Sequence, residues 1–155
     1  MIQRKQTVYL LLAIVCFVVN SAMPIGYLIP DGMGVSSEIN CLGVLDGNTG
    51  ELTYPFMALP IVMLALNILH SISTIFMYKN RKAQMTNCYA QVVGIFVEYI
   101  VCGFLIWYNC VDGKDVHYDT AFAICLPIVA IILILLAHKG INDDERLVRA
   151  ADRIR

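Results

Sequence analysis

Apolar residues occur along this chain in four long runs, and polar segments separate them. A helix needs about 20 residues to cross the hydrocarbon core of a bilayer, and each run is close to that length. The segments between the runs are rich in Gly, Asn, Asp and Lys. The pattern therefore predicts four transmembrane helices, over residues 6–28, 56–78, 86–108 and 120–138.

Two loops, 29–55 and 109–119, and a tail, 139–155, lie outside these runs. In the first loop, residues 40–45 and 51–54 flank a turn-forming segment, Asp46–Gly50. Glycines in such a segment supply the backbone conformations that a tight turn needs. The pattern predicts a small β-hairpin that docks on the ends of the helices. An irregular loop is the alternative.

The tail follows Gly140, a residue that favours the end of a helix. Asn142 with Glu145 resembles the start of a new helix, and Leu147, Ala151 and Ile154 share one face of it. We expect a short amphipathic helix on the membrane surface. The alternatives are a helix that binds a partner and a solvated extension of the fourth run. Pro127, inside that run, predicts a kink.

The composition agrees with a membrane protein. Hydrophobic residues make up 59% of the 155 residues, charged residues 15%, and the mean hydropathy is +0.70. Soluble domains have roughly 45–50% and about 25%. These values exclude a disordered chain, a basic nucleic-acid-binding domain and a small secreted disulfide scaffold. The fold class predicted is an all-α integral membrane domain, a four-helix transmembrane bundle with the hairpin outside it.

The charges predict the orientation of the bundle. Of the 11 Lys and Arg residues, all but Lys114 lie on the side of the two termini and of the loop between the second and third runs. Basic residues favour the cytoplasmic side, so both termini are expected there. Anionic lipid headgroups, or the acidic surface of a partner, are the expected contacts of this basic side. The basic residues concerned are Lys79, Arg81, Lys82, Arg146, Arg149 and Arg153.

Glu98, near the middle of the third run, is the most informative polar residue. A carboxyl group at this depth is costly and faces the bundle interior, where burial favours its neutral form. Helical spacing places Gln91 on the same face, and counting about 1.5 Å per residue brings Asn67 to a similar depth. The spacing predicts an intramembrane polar cluster of Asn67, His70, Ser71, Gln91 and Glu98.

This polar cluster has two interpretations. As a relay, Glu98 and His70 would pass a proton or an ion. As a structural device, the polar side chains would hydrogen-bond neighbouring helices to each other. One acid and one histidine, without paired broken helices, are little for a transporter, so the sequence favours the structural interpretation.

The outer loops hold two further candidate features. Cys41 and Cys110 are the plausible disulfide pair if their compartment is oxidising, as a periplasm is. The second loop also holds an acidic group with one histidine, whose spacing matches no metal motif, so a solvated acidic loop is expected there. Its members are Asp112, Asp115, His117 and Asp119.

Two ends of the chain and one loop carry a family resemblance. The segments 1–12, 78–84, 126–133 and 144–155 resemble a family of four-span inner-membrane proteins of unknown function from Bacteroidota. The resemblance implies a bacterial inner-membrane location with cytoplasmic termini. It implies no catalytic or ligand residue.

The sequence contains no motif of an enzyme that we recognise, whether nucleophile elbow, P-loop, dinucleotide fingerprint or metalloprotease helix. The function expected is that of a non-enzymatic accessory or scaffold subunit of an inner-membrane assembly, without a cofactor and with a membrane-protein partner. The alternative is a proton-coupled or small-solute transport component that uses Glu98 and His70. A weaker alternative is a redox partner that uses Cys41 and Cys110.

Overall fold

The structure is a computed structural model that describes residues 5–32, 34–53, 59–78, 80–111 and 116–152. In these residues the chain forms four long helices and five short strands. The helices are long and apolar enough to cross a membrane, as the sequence predicts. They are α1 (Lys5–Ala22), α2 (Leu59–Phe76), α3 (Arg81–Val111) and α4 (Leu126–Asp152).

The helices pack as a bundle in which α1 and α3 each contact both α2 and α4. Leu10 and Phe17 of α1 are both buried and lie about two helical turns apart, so they share one face. Ala130 and Ala137 of α4 are also buried, and their small side chains let the helices approach closely. Large apolar side chains on the opposite faces are exposed, for example Ile100 at 71%. Such faces suit contact with lipid.

The two ends of the bundle differ. The start of α1, the connection from α2 to α3 and the last turns of α4 form what we call the terminal end. There the side-chain amide of Gln6 donates to the carbonyl oxygen of Gly140 at 3.2 Å and to the carboxylate of Asp144. The strands cover the opposite end, which we call the sheet end.

The five strands form one antiparallel sheet in the order β4-β3-β2-β1-β5. The strand β1 follows α1 directly, and β5 precedes α4 across a short 3-10 turn, Phe122–Cys125. The sheet therefore joins the ends of the first and last helices. The strands are β1 (Gly26–Pro30), β2 (Ser37–Asn40), β3 (Gly43–Leu45), β4 (Leu52–Thr53) and β5 (Val116–Thr120).

One face of the sheet packs on the helices. Leu28, Ile39 and Val44 are buried together against Leu105 and Ile106 of α3. Because side chains alternate between the two faces of a strand, the neighbours of these residues face away from the bundle. Packing against α3 gives the short strands the apolar contact that an isolated hairpin in water lacks.

The hairpin predicted in the first loop is confirmed as the pair β3 and β4. In its turn, the Gly50 N–H donates to the Asp46 carbonyl at 2.8 Å, and the Asp46 N–H donates to the Glu51 carbonyl at 3.0 Å. Gly50 adopts a φ of 68°, a conformation that favours glycine. This hairpin is only part of the five-stranded sheet. The other strands, β1, β2 and β5, were not predicted.

The first and last helices begin and end at other residues than the sequence predicts. α1 ends at Ala22, short of the boundary at 28, because Pro24 disfavours helix in the residue before it. Thr120 belongs to β5, and α4 begins at Leu126. Pro127 therefore lies in the first turn, where a helix needs no N–H from it, and the predicted kink is wrong.

The prediction of a separate helix after Gly140 is also wrong. α4 continues without interruption from Leu126 to Asp152, which corresponds to the extension of the fourth run. The reason lies in the packing of Gly140 against α1. A Cβ atom at this position would lie 3.0 Å from Cγ of Gln6, so the glycine allows a close approach between helices rather than ending one.

Candidate functional site

A buried hydrogen bond joins α2 to α3 in the middle of the bundle. The side-chain amide of Asn67 donates from Nδ2 to Oε2 of Glu98 at 2.7 Å. Both residues are at most 5% exposed. Because a buried carboxyl group without a partner is costly, this contact gives Glu98 part of the stabilisation that water would otherwise supply.

The contact is one member of a network toward the terminal end. Gln91 donates from Nε2 to the carbonyl of Asn67 at 3.1 Å and also to the hydroxyl of Ser71. The Ser71 hydroxyl donates to the same carbonyl of Asn67 at 3.0 Å. We call Asn67, Ser71, Gln91 and Glu98 the α2–α3 network. The structure brings these four predicted site residues together.

Gly94 explains how the two helices come close enough for this network. It lies between Gln91 and Glu98 on the face of α3 toward α2. A Cβ atom on Gly94 would lie 3.1 Å from Oδ1 of Asn67, which is tighter than ordinary van der Waals contact. The absence of a side chain at this position therefore leaves room for Asn67 to reach Glu98.

His70 lies outside the network. It is half-buried, and its Nε2 atom is buried without a hydrogen-bond partner among the described residues. Its backbone carbonyl accepts hydrogen bonds from the hydroxyls of Ser73 and Thr74, both at 2.8 Å. The structure therefore does not join His70 to Glu98 by a hydrogen bond within the described part of the chain.

Further polar contacts between α2 and α3 were not predicted. The side-chain amide of Gln84 donates to the carbonyl of Thr74 at 3.0 Å, and that of Asn87 donates to the Thr74 hydroxyl at 3.4 Å. Gln84, Asn87, Gln91, Gly94 and Glu98 follow each other at intervals of three or four residues. Extending this helical spacing from Gln91 toward the start of α3 would have predicted that Gln84 and Asn87 also face α2.

A small cavity lies beside Glu98 on the sheet end. Its volume is about 20 Å³, and Glu98 lines it together with residues of α1, α3, the 3-10 turn and α4. Asn20, at the end of α1, is 4% exposed, and its Oδ1 atom is buried without a partner in the described part of the chain. The lining residues are Asn20, Ile25, Glu98, Tyr99, Cys102, Ile124 and Pro127.

Cys41 is buried in the turn between β2 and β3. Its thiol donates to the carbonyl of Asn20 at 3.7 Å, and it is free in the structure. Burial raises the pKa of the Cys41 thiol to about 11, and an ionised Glu98 would contribute to this rise to a smaller extent. The side chain of Cys110 lies outside the described residues, so its pairing with Cys41 stays a prediction.

The predicted basic residues lie at the terminal end where they are described. Arg81 and Lys82 begin α3, and the Nη1 atom of Arg81 is buried without a partner among the described residues. Arg146 is exposed on α4, and Arg149 forms an ion pair with Glu145 at 3.0 Å. Lys79 and Arg153 lie outside the described residues.

The acidic group of the second loop is divided in the structure. His117 and Asp119 belong to β5, and Nε2 of His117 lies 3.0 Å from a carboxylate oxygen of Asp31 on an exposed surface. Asp112 and Asp115 lie outside the described residues. Within the part of the chain that is described, no group of three or more His, Cys, Asp or Glu side chains is arranged to hold a metal ion.

Four helices that are long and apolar enough to cross a membrane, joined by a buried polar network and covered at one end by a sheet, suggest a membrane protein. The chain belongs to the family described as Domain of unknown function (DUF4293), which it matches over residues 2–154. The family resemblance read from the sequence is thereby confirmed as membership of a family of unknown function. The comparison with curated proteins finds no match.

Proposed function

We propose that this protein is an integral membrane protein of a bacterial inner membrane and serves as a non-enzymatic accessory or scaffold subunit. The α2–α3 network supports this role. Its donors meet acceptors on the other helix or on their own backbone, so the polar groups hold helices together, as interhelical hydrogen bonds do in membrane proteins. Groups engaged in this way are poorly placed to process a substrate.

The charge distribution supports cytoplasmic termini. Arg81, Lys82, Arg146 and Arg149 belong to the terminal end, and basic residues favour the cytoplasmic side of a membrane. In this orientation the sheet lies outside the cytoplasm. The terminal end then meets anionic lipid headgroups, which attract basic side chains.

A pull-down from native membranes tests the accessory role. The protein carries an affinity tag at its N-terminus, is extracted in mild detergent, and its companions are identified by mass spectrometry. A membrane protein present in fixed stoichiometry supports the role. A chain that purifies alone or only with copies of itself contradicts it.

A shortened chain tests whether the end of α4 contacts that partner. Ending the chain after Glu145 removes Arg146, Arg149 and Arg153 but keeps Gly140 and Asp144, which Gln6 contacts. The helices therefore remain packed, and loss of the partner points to the basic end of α4. The matched control replaces Arg149 alone by Ala. The guanidinium group of Arg149 already forms an ion pair with Glu145, so this variant should keep the partner. A partner retained by the shortened chain assigns the contact to another surface.

The cavity supports a second candidate, a proton-coupled or small-solute transport component. Glu98 and an unpartnered acceptor on Asn20 line one cavity within the bundle, and intramembrane acids often mark ion pathways. His70, the other residue of this hypothesis, has a buried Nε2 atom without a hydrogen-bond partner among the residues that the structure describes. Replacing Glu98 by Gln separates the two candidates. An accessory subunit keeps its partner and its function, whereas a transport component keeps its partner and loses function.

A further inference from the structure

The cavity beside Glu98 is lined by one residue, Asn20, whose buried side-chain oxygen meets no donor among the described residues. Asn20 is 4% exposed, and its Oδ1 atom has no hydrogen-bond partner in that part of the chain. Glu98 uses Oε2 to accept from Asn67, and its carboxyl group also borders the cavity. Leaving a buried acceptor unpaired is unfavourable, so the site calls for a donor that the protein does not provide.

The size of the cavity limits what that donor can be. A buried water molecule needs a cavity of about 10–15 Å³ and two to four polar partners. The cavity has about 20 Å³, which admits one water and excludes an organic solute. A neighbouring cavity of about 10 Å³ shares Ile25 and Cys102 with it and extends toward Pro60 and Leu105 at the sheet end.

Among the described residues, the side chains near Glu98 include no cation that would compensate its charge. Tyr99 and Cys102 on α3 and Cys41 on the sheet lie within electrostatic reach of it, and Cys125 lies near Tyr99. Tyrosine and cysteine side chains are neutral when protonated and negative when ionised, so none of them supplies a positive charge. The residues lining the cavity also include no basic side chain. A buried carboxyl group without a cation favours its protonated form.

We propose that Asn20 and Glu98 bind one water molecule in this cavity and that Glu98 holds a proton there. The Glu98 hydroxyl donates to the water oxygen, and one hydrogen of the water donates to Oδ1 of Asn20. The acceptor of Asn20 is thereby satisfied and no charge remains buried. The proton of Glu98 exchanges with solvent from the sheet end, because the second cavity lies on that side and the α2–α3 network fills the other.

This inference concerns a binding site and stands apart from the accessory role. A pull-down that finds no partner leaves the water site intact, and loss of the water site leaves a partner in place. The site also does not require net transport, since a bound proton that never crosses the bundle satisfies the same acceptors.

Infrared spectroscopy of the full-length protein in lipid nanodiscs tests the proposal. At neutral pH we expect the C=O stretching band of a protonated carboxylic acid, absent from the variant Glu98→Gln. The band shifts when H2O is replaced by D2O, because the proton exchanges through the bound water. A carboxylate at neutral pH, with no acid band lost in Glu98→Gln, overturns the proposal.

Asn20→Leu removes the acceptor and keeps the number and branching of the side-chain heavy atoms. The acid band then moves to the frequency of a less hydrogen-bonded group, and its deuteration slows by about tenfold, the factor expected for the loss of one hydrogen bond. Phe17→Leu, one turn away and buried outside the cavity, serves as control and leaves the band in place. An unchanged band in Asn20→Leu contradicts the water site. So does conversion of the band to carboxylate by sodium chloride but not by choline chloride, because the cavity then holds a metal cation.

A second measurement needs no variant. X-ray radiolysis turns bound water into hydroxyl radicals, which oxidise the side chains beside it. In wild-type protein we expect oxygen from H2(18)O to enter Tyr99 and Cys102, which line the cavity, and not Cys88, which is buried in the bundle core. Equal and low labelling of all three residues overturns the proposal.

Discussion

The side chain of Glu98 has two different neighbours, a hydrogen-bond donor and a cavity. On one side Asn67 donates to it at 2.7 Å, and on the other its carboxyl group borders a cavity that also contains Asn20. The bond to Asn67 needs only an acceptor at this position. A glutamine can supply that acceptor, and a leucine cannot. The two substitutions therefore separate the hydrogen bond from the acidity of the residue.

For Glu98→Gln we expect a change in the free energy of unfolding below about 1 kcal/mol. For Glu98→Leu we expect a loss of about 1–3 kcal/mol, because the amide of Asn67 remains buried without an acceptor. Steric trapping of the protein in bicelles measures both values. Equal losses in the two variants would mean that the acid, and not the hydrogen bond, stabilises the bundle.

Cys41 gives the structure a dependence on alkaline pH. Its thiol has a pKa of about 11 in the folded protein, against a reference value of 9.0, because burial disfavours the thiolate. As the pH rises, the thiol therefore ionises in the unfolded state before it ionises in the folded state. The contribution of the buried neutral thiol to stability is present below about pH 9 and is lost between pH 9 and about 11. The denaturant concentration at the midpoint of unfolding should decrease between pH 9 and 11 in the wild type, and it should decrease less in Cys41→Ser.

Alkylation of Cys41 separates burial from the predicted disulfide. A buried neutral thiol reacts slowly with a maleimide in the folded protein at neutral pH, and rapidly after denaturation. A thiol bonded to Cys110 reacts only when a reductant is also present. Rapid reaction of the folded protein would contradict both the burial and the bond.

The spacing of side chains predicts the α2–α3 network because helical periodicity fixes which residues share a face. Asn67 and Ser71 are one turn apart on α2, and Gln91 and Glu98 are two turns apart on α3. Its spacing of three residues from Asn67 also placed His70 in the predicted cluster, but among the described residues its side chain has no hydrogen bond to the network. Asn20 was left out of the cluster because its position in the first run counts nearer the outer side.

At the scale of elements, the approach of α2 to α3 depends on Gly94. We expect Gly94→Ala to destabilise the protein by about 1 kcal/mol, because displacement of Asn67 outweighs the gain in helix propensity. Gly103→Ala in the same helix is the matched control. A Cβ there meets nothing within 4 Å, so this variant should be more stable than the wild type by up to about 1 kcal/mol.

Both variants can be compared by unfolding in mixed micelles of a mild detergent and dodecyl sulfate. We predict opposite signs for the changes in the free energy of unfolding of Gly94→Ala and Gly103→Ala. Errors common to the two measurements cancel in this comparison. Stabilisation by both substitutions would show that α2 and α3 tolerate a wider separation than the structure gives them.

The elements that the sequence predicts well are those with local signals. The helices follow from apolar runs, and the β3–β4 hairpin follows from the Asp46–Gly50 turn. The strands β1 and β5 pair over a separation of about 90 residues, as in Gly26 with Thr120, and no local pattern reports such a pairing. The first residues of β1, 26–28, were counted with the first transmembrane run, which made that run too long.

At the scale of the whole molecule, the orientation follows from charge and is open to a direct test. We expect a reporter active only in the cytoplasm to work at either terminus, and a reporter active only outside it to work when inserted after Asn48 in the exposed turn between β3 and β4. The physical reason is the excess of Lys and Arg on the side of the termini. A single terminus found outside would contradict the proposed arrangement.

The order in which the chain is made limits when this fold can close. α1 packs against α4, and β1 pairs with β5, so the first quarter of the protein finds its main partners in the last. While the ribosome is still adding the middle helices, α1 has only α2 to contact, and the polar Asn20 remains without its final surroundings. Assembly of the bundle is therefore a late event, and in the membrane that we propose for this protein it follows insertion of the fourth helix.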